Sequence, residues 1–545
     1  MRSPRTLARD PASVAGKAPP VAEQTDVLVI GAGVAGVGAA LKVRSAGARV
    51  MLVDENPIAF KSMGEEVPLH FGGRMSAVLQ NRNAALERVL EANPALAEAF
   101  EAGIDVRLGT ACFGLFPKHS SAAWVEVPVA GLLDAERAYL VRFKQAIVAA
   151  GCRDMGLAFE GWQLPGVMGV NAAYRLAVVY GALEAKRAVL LGSDDKALRM
   201  AEALAARGVH IEAIVEQAAE VQGSADMLAP LKARGTEVFT RHVVAKATGN
   251  YQGVERLLLT EIDAEGRHRP DATREIACDS VLLGVASVPA IELLEAAGCC
   301  IRYDAARGGH APRLDAAQRT SIEGIHAVGD CAGIWDGKTS GDEVSAREGR
   351  IAACAAGRAL GFQLDSQEEP VVPPEPARDL AAARLAWVRA SVLNSAANPL
   401  VCQCEEVTAT AILELKPPRY VPLPDPRPEV APSRLSHAAD GACPDLVKRL
   451  TRAGMGTCQG RRCREQVGAL LALGSGRELC KVPHATYRTP VRPLPLAHLG
   501  ALPESPAMDE HWDSWFGMSS QWIPFWRVAP SYTVANRGDD EAARE

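Results

Sequence analysis

No stretch of this 545-residue chain reaches the ~18 consecutive apolar residues that a membrane-spanning helix requires, so the sequence predicts no transmembrane segment. Residues 1–25 lack the apolar core of a secretory signal and, being rich in Ala, Pro and Arg, read as a flexible leader. An excess of basic residues is missing as well. With 59 Lys and Arg against 65 Asp and Glu, the formal charge is −6, which gives neither a nucleic-acid footprint nor a polybasic anchor. No Cys-x-x-Cys occurs, which excludes an active dithiol of that spacing. The 13 cysteines are spread unevenly over a long chain and do not resemble a disulfide framework. Repeats of solenoid period are absent too. A cytoplasmic location is the default expectation.

What is present points to an α/β protein of roughly three or four domains. Residues 26–30 (DVLVI) read as a buried parallel strand, followed by GAGVAG at 31–36, a helical pattern to about Gly47 and a second strand ending at Asp54. In such a βαβ unit Gly31 permits the tight turn, Gly33 lets the backbone approach a pyrophosphate and Gly36 lets helix pack on strand. The N–H groups of Val34, Ala35 and Gly36 then face the phosphates at the positive end of the helix. Asp54 is the expected acceptor for the ribose hydroxyls, with Glu55 as the alternative.

About 300 residues later, residues 320–330 (TSIEGIHAVGD) resemble the closing motif of the two-dinucleotide-domain flavoproteins. That resemblance implies FAD in the first fold, with Gly329 and Asp330 at the ribitol and the helix around 346–349 (AREG) aimed at the flavin ring. Gly73 and Arg74 are expected beside the flavin, although Arg74 serves equally as a structural ion-pair partner. A second βαβ unit begins at Arg187. Its turn reads GSDDKA at 192–197, so Gly192, Asp194 and Ala197 stand where three glycines would be. A carboxylate at the closest approach to a pyrophosphate predicts a retained fold without tight NAD(P) binding.

Cys402 and Cys404 form one close cysteine pair and Cys458 and Cys463 another. Four thiolates suit a [2Fe–2S] centre, zinc accepts the same set, and unliganded thiols are the third reading. Gly454, Gly456 and Gly460 permit a tight path whose N–H groups reach the sulfurs. Lys448, Arg449, Arg452, Arg461, Arg462 and Arg464 would offset a cluster's negative charge. The remaining cysteines, including the adjacent Cys299 and Cys300, read as small packing residues.

CQCEEVTATAIL (402–413) and KRLTRAGMGTCQGRRC (448–463) resemble the bacterioferritin-associated-ferredoxin-type [2Fe–2S] domain of the FAD subunits of opine oxidase, hydrogen cyanide synthase and hydroxyproline dehydrogenase complexes. GWQLPGVMGV (161–170) and GDCAG (329–333) match those subunits, and 192–208 is closer to the sarcosine oxidase alpha subunit. The resemblance implies a two-dinucleotide-binding-domain flavoprotein fold with a small α-rich C-terminal cluster domain. It also implies a hetero-oligomer, whose other members are a flavoprotein of the amino-acid-oxidase type and a small ferredoxin-like protein. A further flavin at a subunit interface is allowed.

The expected organisation is an FAD domain at 26–165 and 275–365, a second fold at 166–274 and a linker at 366–399. A cluster domain at 400–485 with a Pro-rich insertion at 417–432 follows, then an extension at 486–545. Trp512, Trp515, Trp522 and Trp526 make the end of that extension either a protein interface or a tail folded on its own subunit. No catalytic constellation is evident. The expected role is an electron-transfer subunit relaying electrons from C–N bond oxidation in a partner. The alternatives are a self-contained NAD(P)H-dependent reductase and a non-catalytic assembly subunit with structural zinc.

Overall fold

The structure is a computed structural model and describes residues 20–57, 81–118, 126–339, 341–364, 368–416, 443–502 and 506. Residues 1–19 of the leader, Gly73 and Arg74, the Pro-rich insertion and the four tail tryptophans lie outside the described residues.

Two parallel sheets carry the architecture. In the first, the strands run in the order Ile325–Ala327, Gln145–Val148, Val27–Ile30, Val50–Asp54, Asp105–Leu108. Val27–Ile30 is wholly buried, as a short β-branched run between two parallel neighbours must be. The chain leaves it to one side and returns on the other. That creates a switch point, where a crevice opens beyond the carboxyl ends of the strands. The second sheet repeats the plan in the order Val167–Gly169, Ser280–Leu283, Arg187–Leu191, His210–Glu216, Glu237–Thr240. An antiparallel excursion, His242–Asn250, Gly253–Ile262 and His268–Ala277, precedes its last parallel strand. Strand Ser280–Leu283 therefore belongs to the second fold, so the return to the first comes later than residue 275. The two crossings between folds meet where Cys152–Asp154 pairs antiparallel with Ser287–Pro289.

The segment 366–399, expected as a linker, contains a helix, Leu380–Val388, capped by Asp379 and burying Arg384, Trp387 and Val388. The prolines around it mask this in the sequence. The cysteine module likewise shares a core with the second fold. Val401, Ile412, Val447 and Leu470 join one cluster with Trp162, Val215 and Leu257. Trp162 is 1% exposed and donates from Nε1 to the Leu400 carbonyl at 2.6 Å, which ties the first crossing to the module. Beyond the module, Val491 enters the core of the first fold.

Candidate flavin and thiol sites

The first turn is open. Gly31 has φ +109°, and a Cβ there would lie 2.1 Å from the Ala149 carbonyl oxygen; one on Gly36 would lie 1.8 Å from that of Gly31. Both positions need glycine for packing. Gly33 does not, since its φ is −73° and a Cβ would have nothing within 4 Å. What remains for a glycine to serve there is a ligand. Helix Val34–Arg44 begins at Gly33 with no side-chain cap, so its first N–H groups are free for phosphate oxygens. This cradle fits a dinucleotide pyrophosphate.

Asp54 is tied to the turn on both carboxylate oxygens. Its Oδ2 accepts from Ala32 N at 2.6 Å, and its Oδ1 accepts from both Asn56 N and Asn56 Nδ2 at 2.8 Å. Glu55 pairs with Arg492 at 2.6 Å; burial works upward on its carboxyl, but Arg492 prevails and holds it at about 2.

The closing motif is braced from below. Gly329 (φ +68°) and Asp330 form a 3₁₀ turn at the carboxyl end of strand Ile325–Ala327. Beneath it lies a fully buried ion pair, Lys338 Nζ to Glu348 Oε2 at 2.7 Å. Lys338 also donates to the carbonyls of Gly329 and Gly333, while Gly329 N donates to Glu348. The AREG segment occupies the start of helix Glu343–Ala359, which lies so close to helix Val34–Arg44 that a Cβ on Gly349 would sit 2.1 Å from the Ala35 oxygen.

The second turn is closed. Gly192 keeps its packing role, with φ +93° and a Cβ position 2.4 Å from the Gly284 oxygen. Asp194, by contrast, caps helix Asp195–Ala205 by accepting from Ala197 N at 2.8 Å and pairs with Arg378 at 3.3 Å. Glu216, at the strand end where a dinucleotide fold would place its ribose acid, accepts from Ser193 Oγ at 2.6 Å and from Ala218 N at 3.0 Å. The space left beneath helix Leu380–Val388 is about 70 Å³. Nucleotide and cofactor sites run to about 300–1,000 Å³.

The four cysteines converge. Their thiols touch in the order Cys463, Cys402, Cys404, Cys458, and Gly454 N donates to Cys402 Sγ at 3.4 Å. A Cβ on Gly456 would lie 2.3 Å from that of Cys404. Glu406, Arg452 and Gln459 hold left-handed backbone conformations around them, a strain that clusters at functional sites. The Cys402 thiol pushes Cys404 up to about 11, and Cys404 together with burial raises Cys458. Crowded thiols resist ionising until a cation sits among them.

Among the described residues, no group of three or more His, Cys, Asp or Glu is arranged around a single ion position. The cationic neighbourhood is largely committed elsewhere: Arg452 to Glu405, Arg464 to Glu295, Lys448 to the Thr486 carbonyl, and Arg462 over the Trp162 ring. Of the cysteines expected to pack, Cys443 and Cys480 are exposed: Cys443 is the N-cap residue of helix Pro444–Thr451, and Cys480 lies within the short 3₁₀ turn Leu479–Lys481.

Lys338, Arg378 and Arg492 escape the sequence reading, and Lys196 and Glu348 fall within the GSDDKA and AREG segments without a role of their own. Glu216 had a signal, since it ends the second strand of the second fold as Asp54 does that of the first.

Residues 25–357 match the family described as pyridine nucleotide-disulphide oxidoreductase. The chain belongs to that family. It is therefore a flavin-dependent oxidoreductase with FAD as its cofactor. Residues 442–502 also match the sarcosine oxidase A3 domain. The A subunit of opine oxidase from Agrobacterium tumefaciens (strain Ach5) is 28% identical over 501 residues, 88% of this chain and 92% of that one. The HcnB subunit of hydrogen cyanide synthase from Pseudomonas aeruginosa is 24% identical over 508 residues, 86% and 97% respectively. The L-proline dehydrogenase from P. horikoshii shares the fold, with a TM-score of 0.56 at 20% identity over 88% of this chain and 80% of that one. These relatives include named subunits of larger enzymes, and this chain is similar to them along most of its length. No helix among the described residues is long and apolar enough to cross a membrane.

Proposed function

We propose that this pyridine nucleotide-disulphide oxidoreductase family member is the FAD- and [2Fe–2S]-containing electron-transfer subunit of a hetero-oligomeric enzyme oxidising a C–N bond in an amine, imino acid or opine. A partner flavoprotein of the amino-acid-oxidase type supplies its electrons, which leave to an acceptor, and a small ferredoxin-like protein completes the assembly. The observation that carries this reading is the pairing of an open first turn with a second turn sealed by Asp194, Arg378 and helix Leu380–Val388. A second turn closed in this way supports a source of electrons other than a nicotinamide dinucleotide. The names of the relatives, opine oxidase among them, supply the C–N chemistry.

Flavin exchanges electrons in pairs or singly and an iron–sulfur centre carries one, which suits a converter between the two modes. The chain's own residues supply the setting. The N–H groups of Val34, Ala35 and Gly36 bind phosphate, the Lys338–Glu348 pair holds the Gly329–Asp330 turn, and Cys402, Cys404, Cys458 and Cys463 are the cluster ligands. None of the 13 cysteines, all among the described residues, forms a disulfide, which suits a reducing cytoplasm.

Purified protein should show flavin bands and about two irons per chain, as that cluster type requires. Cys404→Ser or Cys458→Ser should remove the iron and leave FAD in place. Stoichiometric zinc without a reducible paramagnetic centre would sink the cluster assignment, and rapid anaerobic bleaching of the flavin by NAD(P)H would revive the reductase reading.

A further inference from the structure

Helix Asp195–Ala205 of the second fold presents two cations, one turn apart, to the closing motif of the first. Lys196 Nζ lies 3.5 Å from Asp330 Oδ2 and 3.0 Å from Cys152 Sγ, with its side chain 14% exposed. Arg199 donates to the Thr339 carbonyl, at the end of the short helix Asp336–Thr339 that carries Lys338. In an intact dinucleotide turn this end of the helix faces a phosphate of its own fold. Here Asp194 caps it instead, and the residue two positions on reaches across the crevice. Cys152 lies on the crossing strand just past the carboxyl end of Gln145–Val148, and Asp330 lies at the carboxyl end of Ile325–Ala327. Lys196 therefore closes on the mouth of the crevice at the switch point of the first sheet, where the flavin binds.

We propose that Lys196 is a positioning residue for FAD, and that the second fold, having lost its own nucleotide, now completes the flavin site of the first. The ammonium fixes the Asp330 carboxylate in one orientation toward the ribitol side of the cofactor, and its charge favours the flavin taking up electrons. Lys338 and Glu348 hold the backbone of the same turn through Gly329, so the turn is contacted by lysines that belong to different folds.

The proposal rests on FAD occupying the first fold, and the two can be tested apart. FAD dissociation constants and the flavin midpoint potential are measured on the full chain as wild type, Lys196→Met and Lys196→Arg. Lys196→Met should bind FAD about tenfold more weakly (about 1.4 kcal/mol) and show a lower midpoint potential. Lys196→Arg should restore both to within about threefold of wild-type affinity, or about 0.65 kcal/mol by the same conversion. Should Lys196→Met fail to fold, Lys196→Gln, which keeps a donor without the charge, carries the same expectations. A folded variant with unchanged affinity and potential overturns the role of Lys196 while leaving FAD in the first fold. If Gly33→Asp retains a full flavin complement, it is the FAD placement itself that is wrong.

Discussion

The two dinucleotide turns of this molecule share a backbone plan and differ in what they admit. Each keeps the glycine that packs: Gly31 against Ala149 and Gly192 against Gly284. The third-glycine position is Gly36 in one and Ala197 in the other. The added methyl of Ala197 is accommodated because the facing residue is Gly284, whose own Cβ would lie 2.9 Å from that of Ala197. The ligand position differs in charge as well as size, with Gly33 in the first turn and Asp194 in the second. The same backbone plan can thus be kept while the space before it is filled, here by Asp194, Arg378 and helix Leu380–Val388. Packing glycines report on the backbone, whereas a glycine with open space before it reports on a missing ligand.

The sharpest way to break the comparison is to give the first turn the second turn's residue. Gly33→Asp should fold normally, since a Cβ there has nothing within 4 Å, yet lose FAD by more than ~100-fold, because a carboxylate would face the pyrophosphate and like-charge juxtaposition costs several kcal/mol. Flavin content after gel filtration, with circular dichroism as the fold control, decides it. A second effect, on stability, concerns the brace. Lys338→Met leaves Glu348 buried and unpaired, and should lower stability by about 3–5 kcal/mol. Replacing both, as Lys338→Met with Glu348→Leu, should recover much of that loss in a denaturant titration. If the single and double variants unfold alike, the pair is not what holds the Gly329 turn.

The first fold was legible because its signals are local: an apolar strand, three glycines and an acid lie within thirty residues. Cys402 and Cys404 with Cys458 and Cys463 were singled out by two close pairs together with the family resemblance, because the spacing alone matches no plant-type or bacterial ferredoxin pattern. What escaped is long-range. Lys196 meets Asp330 across 134 positions (330 − 196), and Arg378 meets Asp194 across 184, so no periodicity or spacing can register either. Helix Leu380–Val388 was hidden by the prolines that precede it. Asp54 was legible as an acid at a strand end, but its direction depended on where Ala32 N and Asn56 lay, which is a property of the folded turn.

The smallest expected effect lies in the second turn, where Asp194 acts as cap and as ion-pair partner at once. Asp194→Ala removes the acceptor for Ala197 N and should cost about 1 kcal/mol, the usual value of an N-cap. Asp194→Asn keeps an acceptor at the same place without the charge, so it should cost less. Its balance against the wild type should also move with pH. Burial lifts the Asp194 carboxyl above the ordinary carboxylate range, although Ala197 N and Arg378 both pull downward. A carboxyl raised in the folded state contributes stability that is full below its unfolded pKa of about 3.9 and is lost as pH rises through the folded value. Asparagine has no such loss. The Asn variant should therefore gain on the wild type as pH climbs from the acid side of that window towards neutrality, and denaturant midpoints measured at both ends would show it. Neither variant should bring nicotinamide binding to the second fold, because Arg378, the Ser193–Glu216 contact and helix Leu380–Val388 still occupy the space. If NAD(P)H binds to Asp194→Ala at micromolar levels, Asp194 alone was the seal, and the difference between the two turns reduces to one side chain.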